Sequence, residues 1–318
     1  MTSSTILVLR ATGAQGTGVL KHARKNNILA RAYVTDKNAP RAQKLSQYGA
    51  DLYEGTLGDA RSLEVALTGC DGVFLNQMPS FADDAETREA KLLLELAKKV
   101  GVKHVVHSTS LGVPRKESMA QSKSISAAAV MGKAEVEDLV KASGIEYWTI
   151  LRGGYFDTNF LGYTSQYMFP ELGNQKKFIS SYKPDWLLPL IDPNDIGAFA
   201  VAAFVSPKKF HEAEIAVVAE KRTVEQVVKD LSKASGYDIE AIYRSDEETA
   251  ELSKTNPIVA AAQWMSDLHK EADLEATRQW GVPLHTLPKF LENELDLVKG
   301  TFEGMEQMST PSFGNIQK

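Results

Sequence analysis

A short apolar run that breaks on glycines and reopens as a helix confines the fold of this chain more than any other feature. Residues 5 to 9, TILVL, read as a β-strand; Gly13 and Gly16 follow in a turn; Val19, Leu20, Ala23 and Arg24 continue as an amphipathic helix. Glycines let the backbone approach an anion without Cβ interference, and the first N–H groups of the helix, with its positive dipole end, point at the same place. A dinucleotide pyrophosphate fits there, against Thr12, Gly13, Ala14, Gln15 and Gly16, and a side chain at Gly16 would occupy its place. An ordinary βα turn is the plainer alternative. Three residues before Gly13, where the usual fingerprint has its first glycine, stands Arg10. Arginine suits that turn only with a negative φ, its guanidinium then lying beside the phosphates or obstructing them.

The chain has 318 residues, with 36 Lys+Arg against 41 Asp+Glu and a net charge of −5, and no long basic run. Direct nucleic-acid binding is disfavoured. Cys70 is the single cysteine, which excludes an intrachain disulfide and a thiolate metal site and points to a reducing compartment; no metal is expected. The first residues, MTSST, have no charged-then-apolar leader, and no apolar run nears the ~18 residues of a membrane span. The expectation is a protein that meets no membrane and is cytoplasmic, or nuclear if it is a regulator.

Strands at 29–34, 50–54, 72–75, 104–108 and 147–151 alternate with helices at 61–67, 85–100 and 130–143. Such alternation means a doubly wound parallel sheet covered by helices on both faces. The fold expected is therefore α/β, a Rossmann domain over 1–155 with a smaller C-terminal α/β substrate or partner region over 156–308 and a mobile tail at 309–318. A helix at 195–205 and a strand at 214–218 return to complete the first sheet. Residues 153–189 are rich in aromatics, glycine and proline, and read either as a pocket wall beside the cofactor or as the aromatic core of a second lobe. Paired charges on helices, Lys98–Lys99 and Glu135–Glu137, read as solvated faces.

Five segments together resemble the NmrA-like proteins, atypical members of the short-chain dehydrogenase/reductase superfamily: GAQG at Gly13, GADLYEGTLGD at Gly49, AKKVGVKHVVHSTS at Ala97, KAEVEDLVKASGIEYWTILR at Lys133 and IDPNDIGAFAVAAF at Ile191. The resemblance implies an NAD(P)-binding Rossmann domain and one of two functions. The first is an NADPH-dependent reductase of a small, largely apolar metabolite. The second is a non-catalytic sensor of NAD(P) redox state that regulates transcription through protein partners. A homodimer or a protein partner fits either.

In that family the second strand usually ends in an arginine that clamps the 2′-phosphate; Thr35 stands here. Asp36 lies 20 residues after Gly16, the distance at which an acid binds the ribose of NAD, while Lys37 and Arg41 are placed to neutralise a phosphate. NADP is the cofactor expected, with NAD the alternative, and Asp36 also reads as a plain turn cap. Ligands of open parallel sheets sit beyond the carboxyl ends of the strands. Thr56 and Leu57 then flank the adenine, Asn76, Gln77 and Met78 line the ribose and pyrophosphate, and Ser108 or Thr109 approaches the nicotinamide ribose. Lys133, read as opening its helix, matches the lysine that related reductases use to hold that ribose and move a proton. The tyrosine expected four residues earlier is Ala129, so the proton donor is Lys133 itself, Tyr155 from the aromatic segment, with Phe156 beside it on the cofactor, or His107. His107, flanked by Val106 and Ser108 in a strand, reads first as a core histidine.

Overall fold

The glycine turn packs against itself. In the computed structural model, which describes residues 4–80, 83–119 and 125–304, strand β1 (Thr5–Val8) is followed by the turn and by helix α1 (Ala14–Lys25). The Gly13 N–H donates to the Arg10 carbonyl at 2.9 Å. Making that bond turns Arg10 into the left-handed region, with φ at 49°, contrary to the negative φ expected of it. A Cβ on Gly16 would stand 2.4 Å from the Arg10 carbonyl oxygen and 2.7 Å from Ala11 Cα. The space a Gly16 Cβ would need is thus already filled by the turn's own backbone, so a side chain there meets the fold before it meets any ligand.

The strands that follow are β2 (Leu29–Val34), β3 (Asp51–Glu54), β4 (Gly72–Asn76), β5 (His104–Ser110), β6 (Tyr147–Gly153) and β7 (Ala213–Val217). Among the described residues they and β1 form one parallel sheet in the order β7-β6-β5-β4-β1-β2-β3, a Rossmann-type doubly wound arrangement. Its helices are α1, α2 (Ala60–Leu67), α3 (Ala85–Lys99), α4 (Ile125–Ala142) and α5 (Pro193–Val205). One core layer joins Leu7, Val73 and Val105 of the strands to Leu63, Leu93 and Val136 of α2, α3 and α4, all buried. Across α1 and α5 two glycines meet, since a Cβ on Gly197 would lie 2.4 Å from the Gly18 carbonyl carbon. Only glycine permits so close a crossing.

Two readings of α4 change. It extends N-terminally to Ile125, through an alanine-rich stretch of high helix propensity that Gly132 does not interrupt, so Lys133 sits in its middle and does not open it. Glu137 is 1% exposed and is no solvated charge. Arg152 on β6 grips it with two hydrogen bonds, Nε to Oε1 at 3.1 Å and an Nη to Oε2 at 2.6 Å.

The chain divides into two compact units. The first takes the described residues up to Gly154 with Pro193–Val218 and Glu271–Leu284; the second takes Tyr155–Asp192, Ala219–Lys270 and the described residues from His285 on. In the second unit, strand Leu188–Ile191 pairs antiparallel with Glu220–Arg222 and parallel with Tyr155–Phe156, while Lys177–Ser180 pairs with Glu240–Tyr243. The aromatic segment supplies this unit's core: Phe169 stacks on Phe178 at 4.3 Å between centroids and on Phe160 at 6.0 Å, and Tyr155 packs on Phe160 and Tyr182. The expected tail at 309–318 lies outside the described residues. Among the described residues no helix is long and apolar enough to cross a membrane.

Candidate functional site

The strand order reverses between β1 and β4, and at such a switch point the loops leaving the two carboxyl ends diverge and open a crevice. The turn after β1 and residues Asn76 to Met78, at and just beyond the end of β4, flank it. On the β1 side the N-cap of α1 is Gly13, which gives no side-chain cap to the first N–H groups of the helix. Thr12 and Ala14 are exposed, and Gln15 is half-buried. The Ser108 hydroxyl donates to Gln15 Oε1 at 2.5 Å, tying β5 to the first turn of α1.

At the end of β2, Thr35, Asp36, Lys37 and Arg41 are all exposed. Asp36 Oδ1 accepts the Asn38 N–H at 2.8 Å, the turn-capping arrangement, and Glu54 Oε2 accepts the Lys37 N–H at 3.0 Å. Two carboxylates therefore hold the turn that carries Lys37, Asp36 from within it and Glu54 from the end of β3. At the end of β3 the Thr56 carbonyl accepts the Tyr33 hydroxyl at 2.9 Å, and Leu57 packs against the core layer.

The polar centre lies at the carboxyl ends of β4 and β5. Lys133 Nζ donates to Glu86 Oε1 at 2.5 Å and to the Gln77 carbonyl at 2.7 Å; the side chains of Lys133 and Glu86 are 9% and 3% exposed. Gln77 Nε2 donates back to the Glu86 carbonyl at 2.9 Å, so three residues from β4's end, α3 and α4 close a ring of hydrogen bonds. Burial lowers the Lys133 pKa, the Glu86 carboxylate pulls it back up, and the positive charge of Arg10 lowers it further. Burial raises that of Glu89, toward which Gln77 Nε2 also points. Asn76 is buried beside this centre, and Met78 is 43% exposed.

His107 is fully buried, with Nδ1 3.1 Å from the Leu75 carbonyl. A carbonyl only accepts, so Nδ1 carries the proton and Nε2 presents a lone pair that no described residue meets. Burial, and then the Lys133 charge, push its pKa down to about 3. His107 is a neutral core histidine. Tyr155 and Phe156 belong to the second unit, where the Tyr155 hydroxyl is buried near Met168 Sδ at 3.9 Å and burial raises its pKa well above the usual value.

The model of the NmrA-like family matches residues 2–287. The chain belongs to the NmrA-like family. It is 31% identical over 231 residues to an NAD(P)H azoreductase of Xenophilus azovorans, covering 73% of this chain and 74% of that one. To a (4-alkanoyl-5-oxo-2,5-dihydrofuran-3-yl)methyl phosphate reductase of Streptomyces griseus it is 29% identical, covering 81% and 84%. Its fold is similar to that of NmrA, a negative transcriptional regulator solved with NADP, at a TM-score of 0.75 and 19% identity over 96% of this chain and 99% of that one.

In this NmrA-like chain the first unit links Gln15 with Ser108 and, separately, Gln77 with Lys133, and Glu86 joins the second pair unforeseen. Nothing local marks Glu86, which is one of four acids and bases in the first half of α3 (AETREAKL). Only the helix's placement against α4 singles it out.

Proposed function

We propose that this NmrA-like protein is an NAD(P)H-dependent reductase, with NADPH its cofactor, acting on a small, largely apolar acceptor. The observation that carries the reading is the buried Lys133 cation at the carboxyl ends of the central strands, in a fold whose α1 N-terminus is uncapped by any side chain of its N-cap residue. The donor set fits a dinucleotide: α1 offers N–H groups and a positive dipole end to a pyrophosphate, while the buried Gln77 Oε1 has no partner among the described residues and is left to accept a hydroxyl. Bound NADPH would supply a hydride to the acceptor. The chain's own part is then to grip phosphates at Gly13 to Gly16, to orient the ribose of the nicotinamide through Lys133 and Ser108, and to hold a positive charge where negative charge develops. Family relationship to reductases supports this assignment, and the similarity to an azoreductase is the reason to include azo compounds among the acceptors to try.

The regulator reading is favoured by one residue. Ala129, one helical turn before Lys133, puts a methyl where a reductase of the wider superfamily has its tyrosine acid. NADPH oxidation by wild type and Lys133→Ala against a panel of enones, carbonyls, imines, quinones and azo compounds decides between the two. A reductase turns over at least one class, and Lys133→Ala lowers kcat by at least about 100-fold, the smaller end of what acid–base and electrostatic assistance contributes. No turnover across the panel with tight NADPH binding favours the regulator.

A further inference from the structure

The reductase reading uses Lys133 and leaves Glu86 without a task. Glu86 stands in the first turn of α3, yet its side chain is 3% exposed, where an unanswered carboxylate is strongly disfavoured. Its Oε1 receives the Lys133 ammonium at 2.5 Å, and its own backbone carbonyl receives Gln77 Nε2 at 2.9 Å. Room for the carboxylate is made from α4: a Cβ on Gly132 would press to 3.1 Å from Oε2. Backbone, side chain and a neighbouring glycine thus all serve one contact.

We infer that Glu86 is a positioning residue that holds Lys133 charged and aimed at the ends of β4 and β5, so that the pair, and not the lysine alone, faces the nicotinamide end of the cofactor. The inference rests on the reductase reading for what the cation serves. It does not rest on it for the coupling of the two side chains.

The other groups that face Lys133 do not hold its proton. Arg10, from the turn after β1, acts against the ammonium, and His107 of β5 is neutral. Glu89, one turn along α3, bonds Gln77 and has its proton affinity raised by burial. Glu137, farther along α4, is taken by Arg152 of β6. Remove the Glu86 charge and burial, the largest influence on Lys133, acts nearly unopposed. The sign follows from proton linkage: a buried lysine with a depressed pKa binds fewer protons folded than unfolded, so folding strengthens as pH rises between the folded and the unfolded pKa.

The test uses the full chain without cofactor, unfolded in urea from pH 6 to pH 10, as wild type, Glu86→Gln and Glu86→Gln with Lys133→Met. Relative to the double variant, in which the lysine proton is gone, the folding constant of Glu86→Gln should climb about tenfold per pH unit from a pH below the one at which wild type begins to climb. A ratio independent of pH, or a climb that begins where wild type's does, overturns the inference. Should Glu86→Gln not fold, Glu86→Asp, which withdraws the carboxylate by one methylene, should shift the onset in the same direction by less; an unmoved onset overturns it equally. NADPH titration of Lys133→Met is the separate arm. Binding as tight as wild type there removes the lysine from the cofactor site and sinks the reductase assignment of Lys133, leaving the urea series to speak for the pair.

Discussion

Gly16→Ala distinguishes a glycine needed by the fold from one needed by a ligand. The added Cβ would lie 2.4 Å from the Arg10 carbonyl oxygen and 2.7 Å from Ala11 Cα, where ordinary contact is 3.4–4 Å. Both are backbone atoms held in place, Arg10 by the Gly13 N–H at 2.9 Å and Ala11 by the Thr17 hydroxyl donating to its carbonyl at 3.1 Å. Relief requires the turn or the start of α1 to move. Overpacking costs about 1–3 kcal/mol, and with backbone on both sides the upper end applies. Alanine's better helix propensity returns about 1 kcal/mol, for a net loss of about 2 kcal/mol. At roughly 2–4 °C per kcal/mol for chains of this size, Tm should fall by about 4–8 °C. Gly13→Ala, whose Cβ meets only the Arg10 oxygen at 3.2 Å, should lose less than half as much while weakening NADPH at least about tenfold. Scanning calorimetry with and without NADPH reads both. A Gly16→Ala protein that melts at or above wild type would refute the packing argument.

Arg152→Met should cost about 3–5 kcal/mol in urea unfolding, because it leaves Glu137, with a side chain 2% exposed, with no cation nearer than Lys141 Nζ at 4.0 Å; adding Glu137→Gln should recover much of the loss, and a single-variant loss under about 1 kcal/mol would contradict the ion-pair account. Burial, with a smaller contribution from His211, pushes the His104 pKa down to about 4, so stability present above the unfolded value near 6.5 should be lost as pH falls toward 4, at up to about 1.4 kcal/mol per pH unit. His104→Gln should flatten that limb of a pH series of urea midpoints, and an unchanged slope would assign it to other groups. NADPH should be preferred to NADH by a modest, salt-sensitive margin that Lys37→Ala removes, since Lys37 is an exposed point charge in a turn held by Asp36 within it and by Glu54 from the end of β3. Calorimetric titration of both cofactors at two salt concentrations checks it, and a clear NADH preference would hand the selection to the two carboxylates.

The layered fold was legible because periodicity and turn chemistry are local. Each apolar run in 5–9, 29–34 and 104–108 is short and bounded, and only a parallel sheet covers such strands on both faces. Gln77 and Ser108 could be singled out because they stand where strands end, whereas Lys133 came from the family resemblance and its place in the middle of α4 did not follow from any strand end. Glu86 was not legible, because a carboxylate in the first turn of a helix is ordinarily a favourable dipole partner in water. Its burial depends on α4 bringing Lys133, 47 residues away, and its neighbour Gly132 against it. Glu137 carried a signal that was available: residues i and i+2 on a helix point about 200° apart, so Glu135 and Glu137 were never going to share one solvated face.

Arg10 shows how a departure from a fingerprint is absorbed. Its left-handed backbone, φ 49°, is what a glycine would adopt freely and what an L-residue adopts at about 1–2 kcal/mol. The Gly13 N–H bond to its carbonyl defines the turn whichever residue supplies that carbonyl, so the loss of the first glycine changes the strain and leaves the shape. The arginine also adds charge. Glu86 answers Lys133, whereas Arg10 is exposed at the start of the turn into α1, where the helix dipole is already positive, and its field reaches Lys133. On the proposed reading Arg10 gives up backbone ease and adds a positive charge near the same anion.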